Sequence, residues 1–215
     1  MKQIAIILSG CGVFDGAEIH EATLTMLSIA KNEASYTCFA PDIRQHHVIN
    51  HITGEEINQE RNVLVESARI ARGNIKNINE LDVNKFDALV MPGGFGVAKN
   101  LCDFAFKGSD CDVIPELKKV VTDFWKTKKP IGALCISPAL IAKVLPEPIV
   151  TIGNDANTIL EIEKLNAKHE ITSHGEITVD HKNKLITTPC YMLDANISQI
   201  EQGVDNLVKE LLKMM

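Results

Sequence analysis

The sequence predicts an α/β protein built on a mostly parallel sheet with helices on both faces. Three observations carry that prediction. Short apolar runs alternate with helix-patterned segments along almost the whole chain. Most of these runs stop at glycine or proline, the residues that punctuate strands. Strands that alternate with helices close as parallel pairs through helical crossovers, which buries both faces of the sheet. The 215 residues fit one domain, 1–215, because no linker-like stretch divides them.

Each element follows from its own pattern. Residues 3–9 form a buried strand bounded by Gly10 and Gly12. Asp15-Gly16-Ala17-Glu18 reads as a capping box, with Asp15 at the cap and Glu18 three residues on, and a helix runs to about Asn32. Residues 35–40 form a strand closed by Pro41, after which 42–62 is polar and aperiodic. Residues 62–72 place Val63, Leu64, Ala68 and Ile70 on one helical face. Residues 86–91 form a strand ending at Pro92-Gly93-Gly94, and 113–128 an amphipathic helix carrying Leu117, Val120, Val121 and Phe124. Residues 131–134 form the strand that feeds Cys135. Residues 149–152 form another strand. Residues 177–179 and 185–188 flank the polar turn 181–184, which predicts a hairpin. A last helix repeats Ile197, Ile200, Val204, Leu207, Val208, Leu211 and Leu212 at helical spacing.

The bulk numbers exclude some partners. Lys and Arg total 22 against 28 Asp and Glu, a net charge of −6, so no basic stripe is available to neutralise nucleic-acid phosphates. No apolar run approaches the ~18 residues of a membrane span. The opening apolar run is too short and wrongly flanked for a signal peptide. The six cysteines, at 11, 38, 102, 111, 135 and 190, form no CxxC pair. A reducing cytoplasm is the expected home.

The chemistry concentrates at Pro130-Ile131-Gly132-Ala133-Leu134-Cys135-Ile136-Ser137-Pro138. An apolar strand climbs to one cysteine, small residues stand two positions to either side, and Pro138 suits the start of a helix. A nucleophile on a sharp strand-to-helix turn needs small neighbours at those positions. The helix N-terminus beyond it favours a thiolate. No histidine follows Cys135, and the first helix offers acids instead, with a solvated helix-face acid as the alternative reading of Glu21. Glu21 lies one turn beyond Glu18 on the same face and is expected to reach the cysteine. A carboxyl beside a thiolate should keep its own proton, donate a hydrogen bond to the sulfur and later shuttle protons for a substrate.

In parallel sheets the site lies at the carboxyl ends of the strands. The loops after the strands ending at Ser9, Met91 and Leu134 should therefore converge. Gly93 and Gly94 then offer unhindered N–H groups to an oxyanion. A dinucleotide loop would need glycine where Lys99 stands, and a plain tight turn is the simpler alternative. Cys190 is either a resolving cysteine or a packed core thiol. His46, His47 and His51 fit no metal-binding spacing, so no metal is expected.

These motifs resemble those of the ThiJ/PfpI superfamily over nearly the whole chain. The resemblance is carried by Gly16-Ala17-Glu18-Ile19-His20-Glu21, Met91-Pro92-Gly93-Gly94 and Ala133-Leu134-Cys135. The run Leu8-Ser9-Gly10-Cys11-Gly12-Val13-Phe14-Asp15-Gly16 is similar to the ElbB branch, known as isoprenoid biosynthesis glyoxalases. Also similar are Val48-Ile49-Asn50-His51, Phe95-Gly96 with Ala98-Lys99-Asn100, and Thr187-Thr188-Pro189 with Tyr191-Met192-Leu193. The resemblance implies a three-layer flavodoxin-like sandwich related to class I glutamine amidotransferases. It implies cofactor-free glyoxalase activity on glyoxal or methylglyoxal, with protein deglycation as a related activity. Cys135 would be the nucleophile, Glu21 the acid–base, and Gly93, Gly94 and Ile136 the oxyanion and substrate-binding positions. A homodimer is the expected assembly.

Two departures bear on this. Ile136 stands where many superfamily hydrolases carry histidine, and Pro189-Cys190-Tyr191 replaces the Arg-Gly-Pro turn of the human deglycase. His174-Gly175-Glu176 is similar to the His-x-Glu pair of the amidotransferases but lies only 39 residues after Cys135, so it is read as a loop or strand edge. The rival functions are a redox sensor that forms a sulfinic acid at Cys135, an ammonia-releasing amidotransferase subunit, and a binding role in isoprenoid regulation. The stretch 42–62 is expected to act as a lid.

Overall fold

The computed structural model describes residues 1–215. Its main sheet holds seven strands in the order β3-β2-β1-β4-β5-β9-β8. These are β1 (Gln3–Ile7), β2 (Ser35–Ala40), β3 (Ile75–Asn77), β4 (Ala88–Met91), β5 (Ile131–Leu134), β8 (Thr178–Asp180) and β9 (Leu185–Thr188). All pairs are parallel except β8 with β9, the predicted hairpin. β6 (Ile149–Val150) and β7 (Lys168–His169) form a separate parallel pair. The helices are α1 (Ile19–Lys31), α2 (Val63–Ile70), α3 (Phe104–Lys107), α4 (Pro115–Lys126), α5 (Ser137–Val144), α6 (Ala156–Lys164) and α7 (Ile197–Met214).

The layers follow from strand alternation, since successive side chains point to opposite faces. Along β1, Ile4 and Ile6 join Ala22, Ile29, Val204 and Leu207 under α1 and α7. Ala5 and Ile7 join Leu117, Val121, Phe124 and Leu140 under α4 and α5. The central strands are therefore apolar on both faces, and β4 and β5 are buried throughout. This is the mostly parallel, helix-covered sheet of a flavodoxin-type α/β fold.

Several boundaries differ from expectation. Helix α1 is capped by Glu18, whose carboxylate accepts the Glu21 N–H at 2.7 Å. Asp15 does not cap it. Its Oδ2 accepts the Ile49 N–H at 2.7 Å, and residues 12–16 turn back through Gly16 N–H to Gly12 O. The short edge strand β3 and helices α3 and α6 were not anticipated. The stretch read as one strand over 149–152 pairs over only two residues, against β7 outside the main sheet. The polar stretch 42–62 is tied down rather than free. His46 N–H donates to Asn100 Oδ1, Val48 is buried, and Arg44 bridges Asn62.

Candidate functional site

The loops after β1, β4 and β5 converge, as adjacent parallel strands require. Glu18 N–H donates to Gly93 O at 2.9 Å, and Gly96 N–H to Gly16 O at 2.8 Å. Gly94 has φ 98°, a left-handed conformation suited to glycine, and a Cβ there would strike the backbone of Gly16 and Glu18. These bonds zip the loop before α1 to the loop after β4.

Cys135 sits at the turn between β5 and α5 with φ 58°. A non-glycine residue there carries about 1–3 kcal/mol of strain, held in place by its surroundings. The surroundings are specific. Cys135 N–H donates to Thr188 O at 3.0 Å, and Ser137 Oγ donates to Pro92 O at 2.8 Å. Ala133 and Ser137 are both buried, as the tight turn demands.

Glu21 projects from the first turn of α1 and is wholly buried. Its Oε2 accepts the Gly93 N–H at 2.8 Å and its Oε1 the Tyr191 N–H at 3.3 Å. Cys135 adjoins it, and the thiol favours the charged form of the carboxyl. Gly93 is the close approach in this group. A Cβ there would come within 2.8 Å of Glu21 Oε2 and 2.9 Å of Cys135 Sγ.

Burial pushes the Glu21 carboxyl up to about 8, and the neighbouring Glu18 carboxylate adds to the rise. The hydrogen bonds from Gly93 and Tyr191 pull the other way. Burial, rather than a neighbouring thiolate, therefore favours the neutral acid of Glu21 near pH 7. The thiolate expected at Cys135 is not favoured. The residue is only 7% exposed, and burial pushes its thiol well above the usual range, with Glu21 adding to the push. The backbone amides of Gly94 and Ile136 favour the thiolate and lower it, without overturning desolvation.

The remaining candidates divide. The Gly93 N–H is already bonded to Glu21, so it is not free for an oxyanion, whereas the amides of Gly94 and Ile136 favour negative charge at the sulfur. The Tyr191 N–H, on the turn after β9, escaped sequence reasoning because a backbone donor leaves no residue-type signal. Cys190 is buried with φ 44°, close enough to Glu21 and Cys135 for their charges to raise its pKa after burial. His174-Gly175 forms a turn. His46 and His47 pack on Phe106, and His51 on Phe14. No group of three or more His, Cys, Asp or Glu side chains is placed to hold a metal. The stretch 42–62 is anchored at Asp15, Asn100 and Phe106, none of which belongs to the Cys135–Glu21 pair.

A cysteine turn at the carboxyl edge of such a sheet is the architecture of amidotransferase-like, ThiJ/PfpI-type proteins, and this chain has it. No family model matches the sequence. A rat protein named ES1 protein homolog, mitochondrial, is 44% identical over 222 residues, covering 99% of this chain and 84% of that protein. The human glutamine amidotransferase-like class 1 domain-containing protein 3, mitochondrial, is 43% identical, covering 99% and 83%. The chain belongs to this ES1 family.

Among solved structures, an isoprenoid biosynthesis protein with an amidotransferase-like domain from Ehrlichia chaffeensis superposes with a TM-score of 0.93. It is 37% identical, and the match covers 100% of this chain and 99% of that one. Glyoxalase III from Candida albicans shares the fold, at TM-score 0.62 and 14% identity over 100% and 97% of the two chains. No helix is long and apolar enough to cross a membrane. The names of the rat and human relatives place those proteins in mitochondria, which gives the expected cytoplasmic home no support.

Proposed function

We propose that this protein is a cofactor-independent glyoxalase of the ElbB branch, converting small α-oxoaldehydes to α-hydroxy acids. The observation that carries this reading is the buried, adjoining Cys135–Glu21 pair, with the Gly94 and Ile136 amides beside the sulfur. The name of the Ehrlichia neighbour, an isoprenoid biosynthesis protein, agrees with the branch. A homodimer belongs to the same proposal, and light scattering reads it.

The reacting state has Glu21 as carboxylate accepting the Cys135 S–H. Sulfur attacks the aldehyde carbon, Glu21 takes the thiol proton, and the new oxyanion receives it, giving a hemithioacetal. The amides of Gly94 and Ile136 steady the oxygen as charge develops. Glu21 then removes the proton from the sulfur-bearing carbon, forming an enediolate with the neighbouring carbonyl. The hydroxyl proton passes between the two oxygens, and Glu21 returns its proton to the neighbouring carbon. A 2-hydroxy thioester results. Water cleaves it, releasing glycolate from glyoxal or lactate from methylglyoxal and restoring the thiol. Atoms balance as dicarbonyl plus water.

A Cys–His pair of the amidotransferase or peptidase kind has less support. The groups that bear on the Cys135 thiol are Glu21, Gly94 and Ile136, and a histidine is not among them. The six free thiols fit a compartment that keeps thiols reduced.

The test is lactate formation from methylglyoxal by purified protein. Wild type should turn over, with kcat/KM rising through a step near pH 8 as Glu21 ionises. Cys135→Ser and Glu21→Gln should each lose at least ~100-fold, the usual scale for removing an acid–base or nucleophilic group. Equal turnover by wild type and Cys135→Ser would remove the enzyme reading.

A further inference from the structure

A concavity of about 500 Å³ is walled in part by Ile136, the residue after Cys135. Its apolar surface comes from Phe95, Phe104 and Phe106, with Ala98 on the floor. Phe95 is 48% exposed and Phe106 49% exposed, unusual for rings of this size on a protein with few aromatics. Both are held in place. The Phe95 N–H donates to Val13 O, fixing the loop that also carries Gly93 and Gly94. Phe106 is braced by His46 and His47, at ring-centroid distances of 4.5 and 5.8 Å. The polar stretch 42–62 thus supports an aromatic wall.

The two charged residues of the lining are ion-paired. Lys107 pairs with Asp103, and Glu161 pairs with Lys164 while accepting the Ser109 N–H. Lys99 lies 5.1 Å from the centre of the Phe95 ring and donates to Phe14 O. A flat apolar substituent would find phenyl faces here. The volume far exceeds what the methyl of methylglyoxal fills.

We propose that this groove is a subsite for the substituent of the dicarbonyl, and that the substrates of Cys135 are α-oxoaldehydes bearing an uncharged, phenyl-sized apolar group. The inference rests on the glyoxalase reading and names its substrate class. The reacting carbons sit at Cys135 and Glu21, and the substituent extends past Ile136 between Phe95 and Phe106.

Two measurements test it. The first is the ratio of kcat/KM for phenylglyoxal over methylglyoxal. Wild type should favour phenylglyoxal roughly tenfold or more, the scale of aromatic packing. Phe106→Ala should cut the ratio about tenfold. Asn157→Trp, an exposed position on α6 that fills the groove without touching the core, should do the same. A ratio near one in wild type, unchanged in both variants, overturns the subsite.

The second measurement works without turnover. Mass spectrometry follows alkylation of Cys135 by iodoacetamide and by its N-phenyl derivative. The phenyl reagent should react several-fold faster in wild type and lose that advantage in both variants. Equal rates overturn the groove even where methylglyoxal is turned over. A phenyl advantage with no turnover of either aldehyde leaves the groove standing and removes the glyoxalase.

Discussion

Replacing Glu21 by glutamine should change how stability depends on pH, and the sign follows from burial. Glu21 is fully buried, and its carboxyl is raised from 4.5 to about 8, chiefly by desolvation and then by Glu18. In the unfolded chain the same group ionises near 4.5. The folded protein therefore holds a proton that the unfolded chain has released. The associated stability is complete below about pH 4.5 and is lost as pH rises towards 8. The slope is about 1.4 kcal/mol per pH unit, so the whole interval corresponds to roughly 5 kcal/mol. That is a large share of the ~5–15 kcal/mol that holds a typical domain folded. Glutamine is nearly the same shape and does not titrate. Guanidinium denaturation of both proteins at pH 5, 6, 7 and 8 gives the difference directly. Wild type should lose stability relative to Glu21→Gln at every step. Parallel stability curves across this range would refute the claim that Glu21 is buried as the neutral acid.

Other variants test the neighbouring geometry. Gly93→Ala should destabilise by roughly 2 kcal/mol or more, seen as a lower denaturation midpoint, because its methyl would crowd Glu21 and Cys135. Asn100→Ala should cost roughly 2–4 kcal/mol in the same assay. Asn100 donates to Ser9 O and Asp15 O and accepts the His46 N–H, so its loss leaves three backbone groups without their partner. Iodoacetamide should label Cys135 more slowly at pH 7 than it labels a free thiol. The rate should still be climbing at pH 9, because burial and Glu21 hold the thiol high. A plateau below pH 8 would contradict that.

Much of the fold was legible because the strands are apolar on both faces. β2 and β5 match their expected limits, and the converging loops follow from strand order alone. Cys135 was legible because a tight turn dictates the size of its neighbours. Other features were not. The α1 cap moved from Asp15 to Glu18 because a contact 34 residues away took the Asp15 carboxylate. The ionisation of Cys135 went the other way because helix N-termini are visible in a sequence, while the depth of burial is set by tertiary packing. The Gly93 amide was assigned to an oxyanion because the pattern cannot show that Glu21 occupies it first. Phe95 and Phe106 become one wall only in three dimensions.

The proton on Glu21 is most directly seen by infrared difference spectroscopy of wild type against Glu21→Gln. The structure predicts a protonated-carboxyl band at pH 7 that fades through a step near pH 8 and shifts in Cys135→Ala, where its sulfur partner is gone. A spectrum showing Glu21 already ionised at pH 6 would contradict its burial as the neutral acid and, with it, the expected rise of activity through a step near pH 8.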